Sequence, residues 1–334
     1  MRSAAAVGGV AALGGLLLLL RRRRHESASP STLDDDAWIA YTHAQRLQRK
    51  QRPSQSRFRV TAVVVFTSGS HELRHVVGHN DEACNLLNSV CAERAAFLQI
   101  AGRAEASAPA LLEVLAVYIT TDASHAITPG ALCREYMSSS SWTSLTTTRI
   151  VMEGTDGLPS RLERTLSQLY PFASPYVRLD RDGQQGAGER LGPPLRRARE
   201  ERGGREGTAW RGAVAASAGD ARSDLHPVQY GACVVYDNGE TSRAWQKKAL
   251  EYGCSLDAVC QLCQAIEEHA PAAKPAMLCM ADQFGVCHAP FATARAYLAE
   301  NGLGQLPVLL HDGAGELRTV AADELLPGLP SWCS

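Results

Sequence analysis

The sequence lacks an excess of either charge. Its 34 lysines and arginines face 35 aspartates and glutamates, for a formal net charge of −1. So balanced a chain makes no electrostatic case for nucleic acid, and no basic, aromatic stretch supplies the groove that single strands need. The cysteine spacing of a secreted disulfide framework is missing too. The ten cysteines lie in apolar segments such as Ala276-Met277-Leu278-Cys279-Met280 and read as reduced core residues and ligands. A cytosolic or organellar compartment follows.

Charge is absent altogether from residues 4–20, an Ala/Gly/Leu run ending in Leu16 to Leu20 and followed at once by Arg21 to Arg24. Its length is near the short end of the roughly 17 to 25 residues that span a bilayer, and Gly8, Gly9, Gly14 and Gly15 weaken it as a free helix. Only Arg2 precedes it, whereas a secretory signal carries its positive charge first. A signal anchor is expected, with the arginine tract keeping the C-terminal bulk in the cytosol. The lack of any acidic residue before Glu26 also suits organellar targeting, and a disordered tail from a wrongly chosen start is a third reading.

A chain of 334 residues can bury two cores. Residues 1–37 are assigned to the anchor and a charged tether. Trp38 to Gln51 is expected as an amphipathic helix. Then come Val60 to Phe66 (strand), Cys91 to Ile100 (helix), Leu111 to Thr120 (strand), Gly130 to Met137 (helix) and Arg149 to Met152 (strand), an alternation that predicts a sheet covered by helices. Residues 181–224 lose apolar periodicity and are rich in Gly and Arg, which predicts a flexible linker between domains at 38–180 and 225–334. Gly231-Ala232-Cys233-Val234-Val235-Tyr236 parallels Thr61-Ala62-Val63-Val64-Val65-Phe66, and Leu325-Leu326-Pro327 parallels Leu169-Tyr170-Pro171, so the second domain reads as a repeat of the first.

Chemistry concentrates in the first half. Gly78-His79-Asn80-Asp81-Glu82 is followed by Cys91-Ala92-Glu93-Arg94 at an expected helix start, and Pro129-Gly130-Ala131-Leu132-Cys133-Arg134 opens another. Thiolates at Cys91 and Cys133 are then placed near helix N-termini, whose free N–H groups favour negative charge, with a carboxylate beside one of them. Alone, each segment is an ordinary helix turn or loop. In this order they resemble the cytidine deaminase family, whose pattern runs N-x-E, C-A-E-R, then P-C-x-x-C-R.

That resemblance implies an α/β fold in duplicate, with a mixed five-stranded sheet sandwiched by helices in each half. It implies zinc-dependent hydrolytic deamination of cytidine and deoxycytidine in pyrimidine salvage, with Zn²⁺ on Cys91 and Cys133 and Glu93 as proton shuttle. Arg94 would moderate the thiolate charge, Asn80 and Glu82 would bind the ribose hydroxyls, and Phe58 would lie near the pyrimidine. One expected ligand is missing, because the first cysteine of P-C-x-x-C falls on Gly130; His125 and Cys84 are the candidate substitutes. The second half has neither a C-A-E triplet nor a P-C-x-x-C pair, as befits a silent copy. The chain is expected to pair as a homodimer. Two alternatives stay open: a metal-free pseudo-deaminase acting as a binding or regulatory subunit, and a membrane-tethered deaminase of polynucleotides.

Overall fold

The computed structural model describes residues 29–68, 72–104, 112–200, 203–270 and 272–328. The apolar run at residues 4–20, and with it the anchor expectation, lies outside them. Among the described residues no helix is long and apolar enough to cross a membrane.

Helix α1 (Asp35–Gln48) starts before Trp38 because Asp34 caps it, its carboxylate accepting from the N–H groups of Asp36 and Ala37 at 3.0 and 3.4 Å, with Asp35 and Asp36 in the first turn. A five-stranded mixed sheet follows: β1 (Val60–Ser68), β2 (Leu73–His79), β3 (Leu112–Thr121), β4 (Arg149–Glu153) and β5 (Leu162–Thr165), in the order β2-β1-β3-β4-β5. Only β3 and β4 are parallel. From Thr61 to Phe66, β1 is buried on both faces, which is why its sequence is a continuous apolar run rather than an alternation. Trp38 and Ile39 of α1 cover one face through Val63, Val65 and Tyr118. The other face packs Val64, Val117 and Ile150 against α2 (Ala92–Ala104) and α3 (Ala131–Ser139).

The second half repeats the plan. After the one-turn helix α4 (Leu166–Leu169) come α5 (Arg181–Glu200), α6 (Gly204–Ser217), α7 (Cys263–His269) and α8 (Ala292–Glu300). The second sheet holds β6 (Tyr230–Tyr236), β7 (Thr241–Trp245), β8 (Pro275–Asp282), β9 (Cys287–His288), β10 (Pro307–His311) and β11 (Leu317–Ala321). Its order is β11-β10-β8-β6-β7, with the short β9 added beside β8, so this sheet has six strands rather than five.

The expected linker at 181–224 is a correction. Residues 181–200 and 204–217 are helical, and α6 buries Ala209, Trp210, Ala213 and Ala216 against the second sheet. It precedes β6 and covers the face of that sheet as α1 precedes β1 and covers the first. Small residues set the approach: a Cβ on Gly231 would stand 2.2 Å from the Ala213 carbonyl, and one on Gly212 2.4 Å from Cys233 Sγ. Glycine and alanine carry little hydropathy, so a helix that packs through them leaves a weak periodic signal.

Registers define the repeat residue by residue. Asn80 N–H donates to the Val60 carbonyl as Gln246 N–H donates to that of Tyr230, and the bridge Asp81–Val90 recurs as Lys247–Leu256. Arg134 Nε donates to Pro129 O, as Arg295 Nε donates to Pro290 O, both at 2.7 Å. Each arginine then reaches across. Arg134 Nη1 donates to Leu169 O and to Pro327 O of the second half, while Arg295 Nη1 donates to Leu325 O and to Pro171 O of the first. These two buried guanidiniums, with α3 packed on α8, fasten the halves in pseudo-twofold fashion.

Candidate metal centre

Cys91 immediately precedes α2, its carbonyl accepting from Ala95 N–H at 3.0 Å, and Glu93 sits in the first turn, where a helix N-terminus tolerates an acid. Cys133 lies on the buried face of α3, whose N-cap is Gly130. The two helix starts meet below the edge of β1 and β3. There the ligand atoms of Cys91, Glu93 and Cys133 all lie within 4.8 Å of one another, the one group of three or more His, Cys, Asp or Glu side chains found so placed among the described residues. Cys133 Sγ is 3.7 Å from Glu93 Oε2. Arg94 lies 3.9 Å from Cys91 Sγ and donates to Ser89 O at 2.9 Å.

The three groups titrate away from their ordinary values. A hydrogen bond from Cys133, aided by the Arg94 charge, lowers the Cys91 thiol to about 6. Burial, then the Cys91 thiolate, pushes the Glu93 carboxyl up to about 7. The hydrogen bond to Cys91 and burial hold the Cys133 proton firmly. At neutral pH the pair therefore carries one thiolate and one thiol, beside a carboxyl that gives and takes a proton readily.

Cys91 and Glu93 line a cavity of about 330 Å³, at the lower end of the roughly 300 to 1,000 Å³ usual for small-molecule sites, while Cys133 is fully buried beside them. Phe58, Asn80 and Glu82 also line it. The Asn80 carboxamide is largely occupied in pinning the chain at the start of β1: Oδ1 accepts from Val60 N–H and Arg49 Nη1, and Nδ2 donates to Phe58 O. One amide N–H remains for a ligand. Partial burial would raise the Glu82 carboxyl, but hydrogen bonds from Ser56 Oγ and from the Ser56 and Gln55 N–H groups outweigh it and hold Glu82 below the usual range. Ala296 and Glu300 of α8 complete the wall from the other half. No local signal marks those two, because only the pseudo-twofold docking brings them here.

The donors suit zinc. Two cysteine sulfurs and a carboxylate converge, and the place where a further thiolate is expected is open, since a Cβ on Gly130 would meet nothing within 4 Å. Neither proposed substitute is brought in: His125 and Cys84 are exposed, and neither belongs to the converging group. The protein would thus hold the ion with two thiolates where catalytic zinc usually has three protein ligands.

No family model matches the chain, and no curated protein does. Among solved structures, cytidine deaminase from Burkholderia pseudomallei is 22% identical over 42% of this chain and 98% of its own, with a TM-score of 0.34. The cytidine deaminases of Mycobacterium leprae and Mycobacterium tuberculosis are 22% and 21% identical over 37% and 38% of this chain, each with a TM-score of 0.31. The chain is similar to cytidine deaminases. The similarity spans less than half of its length.

Proposed function

We propose that this protein is a zinc-dependent hydrolase that deaminates cytidine and deoxycytidine to uridine and deoxyuridine. The convergence of Cys91, Glu93 and Cys133, two of which (Cys91 and Glu93) line a cavity of about 330 Å³, is the observation that supports this reading. Cys91 and Cys133 hold the ion, which when bound makes water a better nucleophile at neutral pH. Glu93 takes the proton that water gives up as its oxygen adds to C4, delivers it to N3, and then carries the proton of the new C4 hydroxyl to the amino group, which leaves as ammonia as the C4–N bond breaks and the carbonyl forms. A carboxyl held near neutrality by burial is matched to both transfers. Phe58 lies against the base, and Asn80 and Glu82 take the ribose hydroxyls. Asp81, Glu82, Glu93 and Glu300 line this cavity with no lysine or arginine, which favours an uncharged nucleoside over a phosphorylated one or a nucleic acid.

Glu93→Gln separates the roles. It is expected to retain zinc while uridine formation falls by at least about 10²-fold, the lower range for a general acid–base group. Loss of the metal together with the activity would move Glu93 from proton carrier to ligand and sink this assignment.

A second reading has its own support: Gly130 supplies no donor, and among the described residues no other His, Cys, Asp or Glu joins Cys91, Glu93 and Cys133 in its place. In that reading the chain is a pseudo-deaminase that binds nucleosides without turnover, as a binding or regulatory subunit. Pairing of two chains is also proposed. Leu86 and Leu87 in the first half, and Leu250 and Tyr252 in the matching loop of the second, are more than 60% exposed, as surfaces awaiting a partner are. Light scattering at micromolar concentration should give a dimer; a monomer contradicts this.

A further inference from the structure

A second cavity, of about 850 Å³, is the pseudo-twofold image of the first. Where the first cavity has Val60, Asn80, Glu82 and Ser89, the second has Tyr230, Gln246, Lys248 and Ser255 at the matching registers. Where α8 lends Ala296 and Glu300 to the first, α3 lends Glu135 and Ser139 to the second. The correspondence set by the two bridges and the two arginines puts Asp257, Val259, Phe291 and Ala294 in the places of Cys91, Glu93, Gly130 and Cys133. Metal chemistry has gone from the copy. The cavity has not closed.

Its charge has reversed. Four carboxylates and no cation line the first cavity, whereas Arg94, Arg178, Lys248 and Arg295 line the second against Glu135 and Asp180. Three of the cations are engaged. Lys248 pairs with buried Asp220 at 3.1 Å, Arg295 is spent on carbonyls, and Arg94 faces Cys91. Arg178 is different: its Nε and Nη2 donate to Ser138 O and Thr143 Oγ1, and it forms no ion pair among the described residues. It is exposed to solvent on the cavity wall, a cation with no counterion among the described residues. Its backbone is left-handed, φ 66°, a conformation that costs a non-glycine residue free energy and that clusters at ligand sites. Tyr136, Tyr176, Tyr230, Tyr252 and Phe291 line the same cavity. Across from them the Gln246 side chain hydrogen-bonds to no described residue.

We propose that this second cavity is a binding site for a nucleoside monophosphate, its phosphate on Arg178 and its base among the rings and Gln246. The anion part stands on the charge of the cavity; the base part rests on the nucleoside reading of the first cavity. No turnover is expected here, since Val259 stands where Glu93 does its work.

Calorimetry on the full chain with cytidine 5′-monophosphate, cytidine and inorganic phosphate tests this by binding alone, so it is separable from any failure to deaminate. The monophosphate should bind at least tenfold more tightly than inorganic phosphate, and more tightly than cytidine at this second cavity. Arg178→Glu should weaken it at least tenfold while the zinc content stays unchanged. Because Arg178 also holds Ser138 and Thr143, hydrogen exchange on the wild-type chain gives an independent location: the monophosphate should protect segments 174–184 and 226–256. Protection centred on residues 80–93, equal affinity for phosphate alone, equal protection of 174–184 and 226–256 by cytidine, or no binding at millimolar concentration each overturns the proposal.

Discussion

Cys91 and Glu93 share one helix turn and depart from ordinary titration in opposite senses, and each departure is measurable in metal-free protein. Cys91 should react with iodoacetamide with a midpoint near pH 6 rather than the roughly 8.5 of a free thiol, and zinc should protect it. A midpoint above 8 would show that Cys133 and Arg94 do not stabilise the thiolate. Glu93 acts on stability with the other sign. Its folded value near 7 exceeds the unfolded one of about 4.3, so its contribution is fully present below about pH 4 and is lost as pH rises through 7. Glu93→Gln should therefore gain urea resistance relative to wild type between pH 5 and pH 7, and a constant difference would contradict the raised value. At this scale the sequence picked out Cys91, Glu93, Arg94 and Cys133, which the fold brings together; the roles proposed for them rest on the resemblance to cytidine deaminases. It was less informative for Asn80 and Glu82, because their hydrogen bonds to Phe58, Val60 and Ser56 join segments far apart in the chain.

Among the elements, β1, β3, β4, α2 and α3 are readable because each has either a buried apolar run or a capped, patterned start. Helix α6 is not. Its packing depends on Ala209, Gly212 and Ala213 coming close to β6, and an absence of side chain is not a pattern. Trp210 is its one large anchor, 3% exposed, with Nε1 donating to Gly285 O at 3.0 Å. Trp210→Ala should cost about 3 to 5 kcal/mol, read as a shift in the denaturation midpoint of the second half. A cost below about 1 kcal/mol would return residues 204–217 to the status of a linker. Helix α3 gives the opposite case, for Gly130 caps it without a side chain and faces open space, so Gly130→Cys should fold as wild type does.

For the whole molecule, the halves are joined by a reciprocal device that no local pattern announces: Arg134 and Arg295 each feed carbonyls on both sides of the junction. Truncating either strands several buried acceptors at roughly 1 to 3 kcal/mol apiece. Arg134→Ala and Arg295→Ala should each destabilise the chain by more than about 3 kcal/mol, and unequal effects would argue against the pseudo-twofold junction. Because α8 walls the first cavity, loosening this junction should also weaken nucleoside binding there. The duplication itself was legible from the strand repeats, while the fate of the copied cavity needed the registers.

The central claim is that Cys91 and Cys133 form a zinc centre that lacks one thiolate at Gly130. Competition with a chromogenic chelator, measuring zinc affinity and stoichiometry for wild type, Cys91→Ala and Gly130→Cys, tests it most directly. One ion per chain in wild type, none in Cys91→Ala, and a tighter site in Gly130→Cys are predicted. If no variant binds zinc, Gly130→Cys included, the metal centre is refuted, and the first cavity is a binding pocket on a deaminase-like fold.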